Sequence, residues 1–299
     1  MSSVFIIIVN WNGFWDTSEC IGSILNISYE NYTIIVVDNG SDKDESKELA
    51  RKFPELIILR SETNLGFSGG NNLGIKYALG KGADYILLLN NDTIVEKDFL
   101  DILVDNAAKN QTIGLAVPKI NYYSDPSKVW YGGGYISKLR GSALTRGNDK
   151  SDNDYTENKY VTFATACCLL IDKRVINDVG LMDEKYFLYL EDADYCIRSY
   201  KCGYSILFVA KSKIYHKINK STTKEHNYVP LYYNTRNRLI FIKKFYKNIF
   251  YIPLLYLICT FLFKSMIGFL TGDFVKVKVI YLAFRDFFLK KYGKVDLHI

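Results

Sequence analysis

Five short, unbroken apolar runs divide the first 117 residues: "VFIIIV" (4–9), "TIIVV" (33–37), "LIIL" (56–59), "YILLL" (85–89) and "GLAV" (114–117). None alternates apolar with polar residues. Each therefore predicts a strand buried on both faces, the habit of parallel sheets covered by helices. The stretches between them (15–27, 43–53, 69–80 and 97–109) have helix-like composition. This alternation predicts an α/β fold with a doubly wound, mostly parallel sheet flanked by helices. No internal repeat is present.

Three of these runs end on polar residues: "NWNG" after the first, "DNGS" after the second, "NND" after the fourth. The carboxyl ends of strands in an open α/β sheet face one crevice, where ligands bind. Asn10, Asp38 and Asp92 should therefore converge. One such end is explained by a turn or a helix cap, whereas three facing one crevice predict a site. "NLGFSGGNN" (64–72) opens a helix, and its glycines allow backbone to approach a ligand at a helix N-terminus that favours phosphate. No GK[ST] follows, so it is not a Walker loop; alone it reads first as a turn and cap, and together with Asp38 and Asp92 as a ligand-binding segment.

Residues 121–160 lose the pattern, and "GNDKSDNDYTEN" (147–158) reads as a mobile surface loop. "YVTFATACCLLI" (160–171) predicts one more buried strand. In "EDADYCIR" (191–198), Glu191, Asp192 and Asp194 crowd the start of a helix that stops at Gly203. The helix dipole favours one acid there. Three acids within four positions repel one another, which a folded protein tolerates where a cation or a reacting proton uses the charge. Arg198 is spaced to pair with Asp194.

The formal net charge of +6 is unevenly placed: residues 211–299 hold 17 Lys and Arg against 4 Asp and Glu. Such asymmetry implies an anionic partner, membrane or nucleic acid, and no nucleic-acid module accompanies the basic segment. The six cysteines form no CxxC pair and read as reduced core residues of a cytosolic protein. The 15% aromatic content suits sugar-contacting or membrane-interface surfaces, and is equally explained by an AT-rich genome. "VFIIIV" is too short for a signal peptide's apolar region. His226 and His298 read as surface residues.

"IFYIPLLYLICTFLFKSMIGFL" (249–270) is strongly apolar. From Pro253 to Leu270 a helix rises about 27 Å, short of the roughly 30 Å hydrocarbon core. Lys264 near its centre would cost about 2.5–3.5 kcal/mol there. Beyond it, Phe274, Val277, Tyr281, Phe284 and Phe288 fall on one helical face, with Lys276, Arg285 and Lys290 off it. A basic amphipathic helix beside an apolar one predicts attachment to one leaflet. The alternative is packing on the catalytic domain or on a second copy, as a homo-oligomer.

In order and spacing, "VNWNG", "VVDNGS", "NLGFSGGNNLGI", "LLLNNDT", "DEKYFLYLEDADYCIR" and "YH" resemble the family 2 inverting glycosyltransferases, closest to the rhamnosyltransferase-like branch that builds surface polysaccharides. The resemblance covers about residues 4–245. It implies a GT-A fold, a nucleotide-diphosphate sugar donor, a divalent metal (Mg²⁺ or Mn²⁺) and a glycan or lipid-linked acceptor. By motif it makes Asp92 and His216 the metal ligands, with Asn90 and Asn91 standing where other members keep acids. It makes Asp192 the catalytic base, with Glu191 beside it. Asp38 would read the nucleobase edge. Asn10, Asn12, Asn64, Gly69, Gly70, Asn71, Asn90 and Asn91 would line the donor site, and Trp130, Asp194 and Arg198 the acceptor side. Ala166 replaces a usual glycine and would narrow the acceptor pocket.

The expected organisation is a catalytic domain over 1–229, with a nucleotide-sugar half (1–117) and an acceptor half (118–229). A helical, basic, membrane-associating region then spans 230–299. The protein would sit in the cytoplasm, peripheral on the inner leaflet. The rival function is a catalytically silent sugar-nucleotide-binding subunit of a glycan assembly complex.

Overall fold

The computed structural model of the chain describes residues 1–217 and 228–297. His226 and His298 lie outside these residues. The first half runs β1 (Val4–Asn10), α1 (Phe14–Ile24), β2 (Tyr32–Asn39), α2 (Glu45–Lys52), β3 (Ile57–Ser61), α3 (Gly66–Gly80) and β4 (Tyr85–Asn90). Their strands pair in parallel in the order β3, β2, β1, β4. Ile6, Ile7, Ile8, Ile35, Val36, Leu87 and Leu88 have no exposed surface, as strands covered on both faces require.

The chain continues through β5 (Thr93–Val95), α4 (Phe99–Ala108), β6 (Ile113–Tyr122), β7 (Lys128–Tyr131), β8 (Gly134–Ser137), β9 (Ser142–Thr145), β10 (Lys150–Ser151), β11 (Lys159–Val161), β12 (Cys168–Asp172), α5 (Lys173–Val179), α6 (Glu191–Lys201) and β13 (Ser205–His216). β12 runs antiparallel between β4 and β6, so the parallel order stops at β4. β13 pairs in parallel with β6 and carries its last residues to β5. That pairing sets His216 opposite Thr93, beside the end of β4.

Two expectations are corrected. Residues 160–171 do not form one strand. β11 pairs with β13 and β12 with β4 and β6, and the small residues of "ATA" turn the chain between them. Residues 147–158 lie at the surface as expected, but the segment is anchored: Asp152 accepts ion pairs from Lys119 at 2.8 Å and Lys213 at 3.2 Å, and Asn121 donates to it at 2.7 Å.

The basic region forms α7 (Val229–Phe245), α8 (Tyr251–Leu270) and α9 (Phe274–Phe288). It is not a separate appendage, because Leu239, Phe241, Ile242, Leu257, Phe261 and Phe287 join the core of the catalytic body. The buried face of α9 is Val279, Ile280, Ala283 and Phe287. The stripe expected to be apolar points elsewhere, leaving Phe274, Tyr281 and Phe288 exposed. α8 buries only Pro253, Leu257, Phe261 and Gly268. Its Ile252, Leu255, Leu262, Phe263, Phe269 and Leu270 are exposed.

Candidate active site

A cavity of about 520 Å³ opens at the carboxyl ends of β1, β2 and β4, where an open α/β sheet places its ligand. Its polar lining is mostly amide: Asn39, Asn64, Asn71, Asn90 and Asn91, with Asp92 beside them. Strand periodicity explains which strand-end residues reach it, because successive side chains point to opposite faces. Asn39 lines the cavity and donates to Asn64 Oδ1 at 3.2 Å. Asp38, its neighbour, is fully buried and pairs with Arg60 at 3.2 Å. Asn10 lies opposite Asp38 in the register, and its amide donates to Glu45 at 2.8 Å. Asn10 and Asp38 thus reach the same sheet edge as Asp92, but neither lines the cavity. Asn12, with φ of 51°, exchanges hydrogen bonds with Asp42 at the rim.

Asn91 donates to Thr17 at 3.0 Å, and Thr17 donates to Asn10 at 2.6 Å, so Asn91 is held in place from behind. Asp92 Oδ1 lies 3.0 Å from His216 Nε2. Trp130 packs edge-on against the imidazole, ring centroids 4.6 Å apart. Burial disfavours the imidazolium, while the Cys167 sulfur and then the Asp92 carboxylate favour it, and together they raise His216 above its ordinary value. Burial raises the Cys167 thiol, so the contact that counts is the one with Asp92. A carboxylate 3.0 Å from an imidazole can hold a cation once the imidazole gives up its proton. They supply two ligands, and among the described residues no group of three His, Cys, Asp or Glu side chains is arranged to hold a metal ion. Mg²⁺ is commonly held by one or two carboxylates completed by substrate phosphates. The pair fits that pattern.

Asp192 lies at the first turn of α6, beside the turn into β12. Ala193 N–H donates to its Oδ1 at 2.8 Å and Ala166 N–H to its Oδ2 at 3.5 Å. Burial pushes the Asp192 carboxyl up to about 6, against the pull of those N–H groups. Ala166 is buried and hands its N–H to Asp192. The next residue, Cys167, accepts from Asn90 N–H at 2.8 Å, which ties the Asp192 turn to the cavity floor. Glu191 is buried, its Oε2 has no partner, and burial beside the Asp192 charge pushes it well above the usual carboxylate range. Asp192 is the carboxylate of this pair that can be ionised at neutral pH and take up a proton.

Asp194 and Arg198, expected on the acceptor side, are structural instead. Asp194 is fully buried and accepts from Arg198 at 2.6 Å, Lys244 at 2.5 Å and Tyr186 Oη at 3.0 Å. Arg198 also donates to the carbonyls of Val179 and Leu181. The expected Asp194–Arg198 pair forms, and it leaves neither group for a ligand.

Gly66 lines the cavity, while Gly69 and Gly70 are packed against neighbouring side chains. A Cβ on Gly70 would sit 2.9 Å from Val9 Cγ1, and one on Gly69 2.7 Å from Leu65 Cβ. Gly66 has φ of 75°, and a Cβ there would collide with Phe187. Phe187, Tyr189 and Leu190 all have positive φ (64°, 68° and 73°), each costing about 1–3 kcal/mol for a non-glycine residue. α7 holds this strained loop. Asn237 Nδ2 lies 2.8–2.9 Å from the carbonyl oxygens of Tyr186, Leu188 and Tyr189 and shares its two N–H groups among them. Arg236 is fully buried and donates to Tyr186 O at 3.2 Å. The loop leads directly into Glu191 and Asp192.

Sequence reasoning missed the rest of the cavity wall: Trp11, Phe187, Leu188, Tyr233, and Lys294 to Leu297. Trp11 adjoins a recognised motif and is 55% exposed, so the motif itself could have pointed to it. No local signal brings residues 294–297 to a strand end some 200 positions earlier.

Residues 5–180 match the family model described as Glycosyl transferase family 2. The chain is 24% identical over 255 residues to the dTDP-rhamnosyl transferase RfbF of Shigella flexneri, covering 81% of each chain. It is 25% identical over 219 residues to the N-acetylglucosaminyl-diphospho-decaprenol L-rhamnosyltransferase of Mycobacterium tuberculosis, covering 64% of this chain and 69% of the relative. Among solved structures it is similar to GalNAc-T7 crystallised with UDP, GalNAc and Mn²⁺, with TM-score 0.68 and 17% identity. That match covers 83% of this chain and half the length of the GalNAc-T7 chain. TarS 1-349 of S. aureus matches with TM-score 0.54 and 15% identity over 80% of this chain and 65% of its own. Both likenesses concern the fold.

Proposed function

The chain belongs to glycosyl transferase family 2, a nucleotide-sugar-dependent family, and on that premise we propose that it transfers rhamnose or a similar hexose with inversion. The donor is a nucleotide-diphosphate sugar in the 520 Å³ cavity, and the acceptor a hydroxyl of a lipid-linked or surface glycan. The observation that carries the reading is the pairing of two features. Asp92 lines the cavity with His216 3.0 Å from its carboxylate, and a carboxylate poised near neutrality, Asp192, is tied to Asn90 of the same lining through Ala166 and Cys167. Two relatives named as rhamnosyltransferases support the choice of sugar.

The acceptor hydroxyl attacks the anomeric carbon from the face opposite the diphosphate. Asp192 takes its proton, and the electron pair of the breaking bond stays on the leaving diphosphate. General-base help of this kind is worth about 10²–10⁴-fold in rate. One displacement inverts the anomeric centre and needs no covalent nucleophile. Asp92 and His216 would hold Mg²⁺ or Mn²⁺, which when bound neutralises charge on the diphosphate. Asn39, Asn64 and Asn71 offer the donor hydrogen bonds, and Trp11 an exposed ring for stacking.

The exposed apolar faces of α8 and α9, rimmed by lysines, are read as an attachment to the inner leaflet that brings the cavity to a lipid-linked acceptor. α8 is long and apolar enough to cross a membrane by length and composition. One of its stripes is committed to the protein, which favours a helix lying in the interface.

Thermal shift against a panel of nucleotide-diphosphate sugars, with Mn²⁺ or with EDTA, tests the donor and metal parts. A ligand at 100 times its Kd should add about 2.7 kcal/mol of stability. The gain should shrink with EDTA and with Asp92→Ala. Stabilisation that ignores both would remove the metal from this account.

A further inference from the structure

We propose that Lys294 is a diphosphate-binding residue of the donor site, presented by the segment that follows α9. The proposal rests on reading the cavity as a nucleotide-sugar site. Among the described residues that line it, the charged side chains are Asp92, Asp296 and Lys294, and Lys294 is the one cation. A nucleoside diphosphate brings several negative charges into a cavity that already holds two carboxylates. As the anomeric carbon–oxygen bond breaks, its electron pair stays on the outer phosphate, while the acceptor's proton goes to Asp192. A divalent ion, if held by Asp92 and His216, would offset only part of that charge. Lys294 supplies a further positive charge on the same wall.

The backbone around Lys294 is fixed from both sides. Gly293 N–H donates to Lys185 O at 2.9 Å, and Arg236 Nη1 donates to Gly293 O at 2.9 Å. Val295 N–H donates to Tyr233 Oη at 3.1 Å. Arg236 has no exposed surface, so this anchor is built into the core of α7. Lys294 itself is exposed, with no ion pair among the described residues. A flexible ammonium on a fixed backbone suits a phosphate that must bind and then leave.

Calorimetric titration in Mn²⁺ of the full chain, Lys294→Ala and Lys294→Arg tests the assignment. The probes are thymidine, uridine and guanosine diphosphates and the matching monophosphates. The diphosphate that binds the wild type should lose about tenfold or more in affinity with Lys294→Ala, the size of a lost charge-assisted hydrogen bond. The matching monophosphate should lose much less, Lys294→Arg should recover most of the loss, and the melting temperature should not move. Equal losses for monophosphate and diphosphate, or no loss, overturn the role of Lys294 and leave the donor reading intact. A wild type that binds none of these nucleotides overturns both.

Discussion

Two adjacent carboxylates, Glu191 and Asp192, show how environment divides roles that sequence leaves shared. Glu191 is buried and without a partner at Oε2, and burial beside the Asp192 charge holds its carboxyl well above the usual carboxylate range. Asp192 accepts two N–H groups and is raised to about 6, so it ionises just below neutrality. Transfer should therefore rise with pH through about 6 as Asp192 loses its proton. Stability should move the other way. An unfolded aspartate ionises near 3.9, so between about 3.9 and 6 the native state holds the proton more tightly. Stability contributed by this group is fully present below that window and lost as pH rises through it. Asp192→Asn should then cost about 10²–10⁴-fold in turnover, while its melting temperature at pH 7.5 equals or exceeds the wild type's. Glu191→Gln should keep turnover. A pH–rate profile and a melting curve for each variant check this, and an active Asp192→Asn would remove it as the base. The sequence shows three acids at a helix start but not which are neutralised. That depends on Lys244 and Tyr186, which reach Asp194 from other elements.

Secondary structure was the most legible level. The runs at 4–9, 33–37 and 85–89 became β1, β2 and β4 within a few residues, because continuous burial leaves a local mark. β12 was less legible, since its antiparallel direction is set by where β4 and β6 leave a gap and not by its own residues. The glycines of α3 were visible, but their packing role was not. Gly74 shows why: a Cβ there would meet Ile7 Cγ2 at 2.6 Å, so the glycine lets α3 lie close on β1. The link between α7 and the strained loop at 187–190 left no local mark either, because Asn237 acts about 50 residues from its acceptors. Asn237→Leu would leave carbonyls of Tyr186, Leu188 and Tyr189 without this donor, at about 1–3 kcal/mol for each that stays buried and unpaired. The variant should melt several degrees lower and lose turnover at temperatures where it remains folded, since the loop places Asp192. A melting curve with kcat measured well below its midpoint would show this, and unchanged kcat in a destabilised variant would make the clamp purely structural.

At the scale of the molecule, the region after residue 229 shares both core and cavity with the residues before it. Residues 230–297 help to close the donor cavity through Lys294 to Leu297 and share the core through Phe241, Leu257 and Phe287. Deleting residues from 249 onward would therefore damage the donor site along with any membrane contact. Point changes on the exposed face separate the two. Leu262→Asp with Phe263→Asp should abolish sedimentation with anionic vesicles while nucleotide binding stays normal, because both residues are more than half exposed. Salt should weaken wild-type attachment only in part, since it screens lysine attraction but not apolar insertion. A wild type that never sediments would leave these faces to a second copy of the chain. The central claim, a single displacement with Asp192 as base, is tested most directly by the anomeric configuration of the transferred sugar. Nuclear magnetic resonance of the product, formed from whichever nucleotide-diphosphate sugar stabilises the protein, should show the configuration opposite to the donor's, and Asp192→Asn should form almost none of it. A product that retains the donor's configuration would contradict the account.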